Sequence, residues 1–141
     1  MKKSDRQKVF DKYGGRCAYC GCELNEHWQV DHGFSKNHWM LYDPSDPNKV
    51  NDFENLYPAC KECNHYKRSH CIDSSCFHIG FREYMSTFHK RLARLPKKTM
   101  RDKTAKTKLY MQAIADRYGI THDKPFDSVF YFEKVNSEPL K

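Results

Sequence analysis

The sequence predicts a small α+β fold, with an irregular, cysteine-containing first half and a helical second half. Its length of 141 residues suits a single domain. Two cysteine pairs with the spacing Cys-x2-Cys, Cys17/Cys20 and Cys60/Cys63, stand on either side of a short stretch with strand-like alternation. The second half instead carries an apolar stripe of helical period. These three observations favour a core of short elements followed by helices.

Local patterns predict each element. In chain order they indicate a helix over 4–12, a strand over 28–32, irregular chain over 33–54, a short helix over 60–69, helices over 79–95 and 103–118, and a final short strand over 128–135. The strand over 28–32 alternates in character, and the last one is rich in aromatic residues. The helix over 79–95 is predicted from one apolar stripe: Phe81, Met85, Phe88, Leu92 and Leu95.

Charge indicates a polyanionic partner. The chain has 25 Lys and Arg against 18 Asp and Glu, a net charge of +7. The stretch Lys90–Lys108 contains nine basic residues and one acidic residue, so it carries +8 and the remainder −1. Nucleic acid is favoured over a membrane surface, because the sequence shows no apolar face of membrane type. No apolar run approaches the ~18 residues of a spanning helix either. Solvated helix faces are the alternative for a charge run alone. The N-terminus lacks the apolar region of a secretory signal, so a cytoplasmic location is expected.

The cysteine pairs predict a metal site. Four thiolates from two turns make the closed tetrahedral geometry of structural Zn²⁺, with no position open to a substrate. Such a site contributes on the order of 10–16 kcal/mol of apparent binding free energy, enough to hold an irregular half-domain together. Buried thiols without metal are the less favoured alternative. Cys22 is close enough in sequence to compete as a ligand. A second site drawn from His70, Cys71, Cys76 and His78 matches no known spacing, and these side chains are interpreted as unliganded.

Several motifs in a fixed order resemble the HNH endonuclease family. They are Arg16-Cys17-Ala18-Tyr19-Cys20-Gly21, Val30-Asp31-His32, Glu54-Asn55-Leu56, the segment Cys60–Lys67 that reads CKECNHYK, and Phe81-Arg82. The core of the resemblance covers about residues 14–70 and is closest to stand-alone phage and bacterial members. It implies a ββα-metal (His-Me finger) core with flanking zinc knuckles, and hydrolysis of DNA that leaves 5′-phosphate and 3′-hydroxyl ends.

The resemblance also implies roles for individual residues. His32 is the general base, and Asn55 fixes the loop and orients His32. Asp31 and Asn64 hold a single catalytic Mg²⁺ or Mn²⁺, in line with the preference of these ions for oxygen ligands. The last motif position is Asn64 rather than a histidine, a His-Asn-Asn variant, and the adjacent His65 is the alternative ligand. Only one of the two can face the metal, because neighbouring helical residues point about 100° apart.

The predicted organisation is a zinc-stabilised nuclease core over 1–78 and a basic helical extension over 79–141, packed as one compact domain. DNA contacts are expected from five basic residues: Lys67, Arg68, Lys97, Lys98 and Arg101. One active site per chain means that a double-strand cut needs a homodimer or two encounters. Two alternatives remain at this stage, a zinc-stabilised DNA-binding module without catalysis and a zinc-ribbon interaction protein.

Overall fold

The computed structural model describes residues 1–75, 78–96 and 102–137. Within these ranges the protein is an α+β fold with a two-stranded sheet and many short helices, which confirms the predicted class. The strands are β1 (Gln29–His32) and β2 (Leu56–Ala59), and the helices are α1 (Lys3–Asp11), α2 (Lys36–Tyr42), α3 (Lys61–Lys67), α4 (Phe81–Ser86), α5 (Phe88–Ala93), α6 (Asp102–Tyr118) and α7 (Tyr131–Ser137). Two 3-10 turns, Pro47–Asn51 and Phe53–Asn55, lead from α2 to β2. In this part of the chain no helix is both long and apolar enough to cross a bilayer.

The sheet separates the cysteine pairs from His32. β1 and β2 are antiparallel, with Gln29 opposite Ala59 and His32 opposite Leu56. β2 was not predicted, because Pro58 lies inside it and proline disfavours a strand interior. Here the Pro58 carbonyl accepts a hydrogen bond from the Ala18 amide at 2.8 Å, which ties β2 to the first cysteine turn. Since Cys60 follows β2 directly, the cysteines gather near the Gln29 end of β1 and His32 lies at the other end.

The segment 33–54 is more regular than predicted. It contains α2, which begins at Ser35, where the hydroxyl oxygen accepts a hydrogen bond from the His38 amide. The prediction of irregular chain was therefore wrong over Lys36–Tyr42. α2 has no buried residue, so it has no apolar stripe from which its period could be recognised.

The hydrophobic core draws on both halves of the chain. It consists of Cys17, Tyr19, Ala59, Cys60, Cys63, Ile72, Phe81, Met85, Phe88, Ile114, Ala115, Ile120, Phe126 and Phe130. The helix predicted over 79–95 is instead two helices, α4 and α5. At the break, the Ser86 hydroxyl donates to the Glu83 carbonyl and the Thr87 hydroxyl donates to the Tyr84 carbonyl. Such side-chain bonds compete with the helical ladder and end α4. The helix predicted over 103–118 matches α6.

The predicted final strand over 128–135 was wrong, because this segment forms α7. The Glu133 carboxylate accepts a hydrogen bond from the Phe130 amide at 3.0 Å and so caps the start of the helix. Phe130 is fully buried and stacks on Phe81, with ring centroids 5.3 Å apart. The aromatic residues that suggest a strand are thus used for core packing, which overrides their β-propensity.

Candidate functional site

Four thiols from two turns lie within 4.8 Å of one another, those of Cys17, Cys20, Cys60 and Cys63. In the first turn, the Cys17 amide donates to the Cys22 carbonyl at 2.9 Å, and Gly21 adopts a φ of +80°. The second pair begins α3, where the Cys60 thiol accepts a hydrogen bond from the Cys63 amide. The predicted convergence of the two cysteine pairs is therefore confirmed.

This donor set fits a structural zinc ion. The sulfurs of Cys20 and Cys60 are 3.9 Å apart, near the ~3.8 Å expected for two sulfurs on one tetrahedral zinc. Three of the four cysteines are buried. A soft, closed, four-thiolate site is typical of structural zinc rather than of a hard catalytic ion.

Two residues of α6 close the cluster, and the sequence analysis missed both. The Arg117 guanidinium donates to the sulfurs of Cys22 and Cys60 at 3.3 and 3.5 Å. The Tyr118 hydroxyl lies 3.1 Å from the Cys63 sulfur. Burial would lower the pKa of Arg117, but the thiolates of Cys60 and Cys20 raise it above its usual value. Arg117 therefore stays charged and offsets the negative charge of the cluster.

Asp31 lies on the buried side of β1 and pairs with a buried lysine. Its Oδ2 accepts a hydrogen bond from the Tyr19 hydroxyl and lies 3.0 Å from the Lys67 Nζ. Lys67 is 1% exposed and also donates to the carbonyls of His32 and His70. Burial raises the pKa of Asp31, and the Lys67 ammonium opposes that rise. The predicted phosphate contact of Lys67 is thus replaced by an internal ion pair that fastens α3 to the end of β1.

His32 is held by a contact that the sequence analysis did not identify. Its Nε2 is 3.0 Å from the Oδ1 of Asn51, at the end of the first 3-10 turn. An amide oxygen only accepts hydrogen bonds, so Nε2 carries the proton in this pair. In the neutral ring Nδ1 is then the atom with a free lone pair, and it can accept a proton.

The His32 side chain lines two cavities. The larger, about 1050 Å³, lies between α1 and β1, with Lys8 and Lys36 among its lining residues. The smaller, about 210 Å³, is shared with Asp31 and Arg68. Imidazole, carboxylate and basic side chains therefore meet at these two cavities.

Asn55 holds the loop that follows His32. Its Oδ1 accepts a hydrogen bond from the Phe34 amide at 2.7 Å, and its Nδ2 donates to the carbonyls of Phe34 and Val50. Its carbonyl accepts a hydrogen bond from the Gly33 amide at 2.9 Å. Asn55 acts on the loop backbone, whereas Asn51 contacts the His32 ring.

Asn64 and His65 point to different neighbours. The Asn64 Nδ2 donates to the Gln29 side chain of β1, on the same side of the strand as Asp31. The His65 ring is exposed and packs against Tyr110 of α6, with centroids 6.0 Å apart. Of the two candidates for the catalytic ion, Asn64 therefore faces β1 beside Gln29, but it is not among the residues that line either cavity next to His32.

The other basic residues predicted to bind DNA are only partly described. Arg68 is exposed beside the smaller cavity, with a φ of +57° at the end of α3. Lys97, Lys98 and Arg101 lie outside the described residues, as does Cys76.

Comparison with known proteins finds two partial relatives. YoqL, an SPbeta prophage-derived protein of Bacillus subtilis (strain 168) named as an HNH endonuclease, is 30% identical over 73 residues, 48% of this chain and 29% of YoqL. The Septu protein PtuB of Bacillus thuringiensis is 36% identical over 65 residues, 44% of this chain and 23% of PtuB. The chain thus spans less than a third of either relative's length. No protein-family model and no solved structure matches the chain. These likenesses support a relationship to nucleases and no finer assignment.

Proposed function

We propose that this chain is a metal-dependent HNH-type endonuclease that hydrolyses phosphodiester bonds in DNA. The observation that carries the proposal is the His32 ring, whose Nε2 is occupied by Asn51 while the ring lines two open cavities. Nδ1 of His32 takes the proton of the attacking water. Imidazole is the side-chain group suited to accepting this proton at neutral pH.

The oxygens for a catalytic ion come from Asp31 and Asn64. In Asp31, Tyr19 and Lys67 both act on Oδ2, which leaves Oδ1 for the cavity. In Asn64, the contact with Gln29 uses the amide nitrogen and leaves the oxygen. A hard carboxylate and amide oxygen set fits Mg²⁺ or Mn²⁺. When bound, such an ion supplies charge neutralisation at the phosphate and at the departing oxygen.

Substrate binding follows from charge. The larger cavity is lined by three lysines, Lys8, Lys12 and Lys36, against Asp5 and Asp11. The smaller one is lined by Lys36, Lys67 and Arg68 against Asp31, so basic side chains outnumber acidic ones in both. The Lys90–Lys108 stretch, with its +8 charge, adds sequence-independent binding to the DNA phosphates. In this scheme residues 1–78 carry the zinc-stabilised nuclease core, and 79–141 form its basic extension.

One observation favours a second candidate, a zinc-stabilised DNA-binding module without catalysis. The Lys67 ammonium already neutralises Asp31, and a second cation beside it meets electrostatic repulsion. In this alternative the ion pair is purely structural, and the basic surface binds DNA that is never cut.

Plasmid nicking separates the two candidates. The zinc-loaded protein is incubated with supercoiled plasmid with and without added Mg²⁺, and nicking that requires Mg²⁺ is expected. His32→Ala should lower the rate by about 10²–10⁴-fold, the usual contribution of a general base, while DNA affinity is unchanged. Asn64→Ala should abolish cleavage or raise the Mg²⁺ requirement.

Two exposed histidines provide matched controls. His65→Ala, at an exposed ring that packs on Tyr110, and His27→Ala, outside both cavities, should nick DNA like the wild type. A His32→Ala rate within about threefold of wild type contradicts the assignment of the base, given the usual size of that contribution. Absence of nicking at any Mg²⁺ concentration, with intact DNA binding, favours the non-catalytic module.

A further inference from the structure

A second group of metal-binding side chains lies apart from the four cysteines. His38 of α2, Cys71 after α3 and His78 before α4 place their ligand atoms within 4.8 Å of one another. Cys71 is buried and both histidines are half-buried. Nothing in their sequence spacing indicates a site, because His38 comes from a distant part of the chain.

Serine residues orient all three ligands. The Ser35 hydroxyl lies 2.9 Å from the Nδ1 of His38, and the Ser75 hydroxyl lies 2.9 Å from the Nδ1 of His78. The Ser35 amide donates to the Cys71 sulfur at 3.2 Å. Metal-bound histidines are typically fixed in this way, with one ring nitrogen bonded to an outer partner and the other directed at the ion.

The Nε2 of His78 is an unsatisfied group. It is buried and has no hydrogen-bond partner among the described residues. The rings of His38 and His78 stack with centroids 3.8 Å apart. A buried polar atom without a partner destabilises the fold. An ion bound by the two imidazoles and the thiol gives this nitrogen a partner.

We propose that His38, Cys71 and His78 bind a second zinc-type ion through two imidazole nitrogens and one thiolate. Imidazole and thiolate ligands select zinc over Mg²⁺, which prefers oxygen. Binding releases the thiol proton of Cys71 to solvent. The fourth position of a tetrahedral ion is taken by water or by another side chain.

This second ion fastens α2 to the segment between α3 and α4. Ser35, which contacts both His38 and Cys71, also lines the smaller cavity with Asp31 and His32. The ion therefore fixes the loop that follows His32. The proposal does not depend on nuclease activity, since its test counts bound ions.

The test is the zinc content of the purified protein. Wild-type protein is equilibrated with micromolar zinc, freed of excess by gel filtration without chelators, and analysed for metal per chain. Two ions per wild-type chain are expected, and one in His38→Ala and in His78→Ala. The control variants His27→Ala and His122→Ala, both at exposed positions, should keep two.

Cobalt substitution identifies the ligands. With Co²⁺ in place of zinc, Cys71→Ser should lose the thiolate-to-cobalt absorption of the second site and keep that of the four-thiolate site. One ion per wild-type chain, or two ions retained in both histidine variants, overturns the proposal. If His38→Ala or His78→Ala does not fold, as judged by circular dichroism, the proposal is tested by the number of zinc ions per wild-type chain and by the cobalt absorption spectrum of Cys71→Ser.

Discussion

The four-cysteine cluster and the cavity beside His32 occupy opposite ends of β1, and they differ in how their polar groups are satisfied. The cluster is closed, because its sulfurs contact one another, Arg117 and Tyr118. Around the cavity, each of the two side chains uses one polar atom in an internal contact, and its other polar atom is available to a substrate or an ion. Asn51 contacts Nε2 of His32, and Lys67 contacts Oδ2 of Asp31. The first arrangement is suited to stability and the second to chemistry, so substitutions at the two ends should have separable effects.

The largest effect is expected from the loss of a zinc ligand. Cys60→Ser removes one of four thiolates, and a structural zinc contributes about 10–16 kcal/mol of apparent binding free energy. Because the whole stability of a domain is about 5–15 kcal/mol, the variant should lose its cooperative unfolding transition and its zinc. Urea unfolding followed by circular dichroism measures this.

Cys22→Ser is the matched control for that experiment. Cys22 contacts Arg117 at the edge of the cluster but is not among the four convergent thiols. This variant should keep one zinc in the cluster and a wild-type unfolding transition. Equal damage from Cys22→Ser and Cys60→Ser would make Cys22 a ligand.

A smaller effect is expected at the Asp31–Lys67 pair. Lys67→Met leaves the Asp31 carboxylate buried without its cation, which typically costs about 3–5 kcal/mol of unfolding free energy. Urea unfolding of the variant measures the loss. Lys61→Met, at an exposed position of the same helix, should stay close to wild type. Equal unfolding midpoints for the two variants would show that the pair does not hold α3 to β1.

The pH dependence of that loss has a definite sign. Burial raises the pKa of Asp31 above its usual 3.8 in the folded protein, and removing Lys67 raises it further. A carboxyl with a raised folded-state pKa destabilises the fold only where it is ionised. The difference in unfolding free energy between Lys67→Met and wild type should therefore shrink as the pH falls through the folded-state pKa toward 3.8. A difference that grows on acidification contradicts this account.

The smallest effect is expected in the basic stretch Lys90–Lys108. Changing Lys97, Lys98 and Arg101 together to Ala should weaken DNA binding at every sequence. It should also flatten the slope of log K against log salt by up to about 2.7, since each neutralised phosphate contributes ~0.9. Zinc content should not change. Lys124→Ala, at an exposed site elsewhere, serves as the control. An unchanged slope would indicate that the protein contacts the DNA phosphates mainly through Lys36 and Arg68 instead.

Sequence reasoning identified features that are local. The spacing Cys-x2-Cys fixes two thiols in one turn, so the four-cysteine cluster could be predicted. The bounds of α6 were also predicted closely. The burial of Lys67 was not, because a lone lysine in a polar helix is normally exposed, and its partner Asp31 lies on another element.

The missed contacts are those that need tertiary structure. Asn51 reaches His32 only because the 3-10 turns return the chain to the end of β1. Arg117 contacts thiols that are distant in the sequence. The segment of α7 looks like a strand by composition, but Phe130, which precedes it, packs on Phe81, and the Glu133 carboxylate caps the start of a helix.

The start of α7 also bears on the order in which the molecule is assembled. The amides of Tyr131 and Phe132 donate to the carbonyls of Tyr19 and Ala18, so the cover of the first cysteine turn is supplied by a segment far along the chain. During synthesis the N-terminal segments leave the ribosome first, and closing so long a loop carries an entropic cost. The turn that holds Cys17 and Cys20 therefore lacks these two backbone hydrogen bonds until the segment that forms α7 has been synthesised, after nearly every other described element.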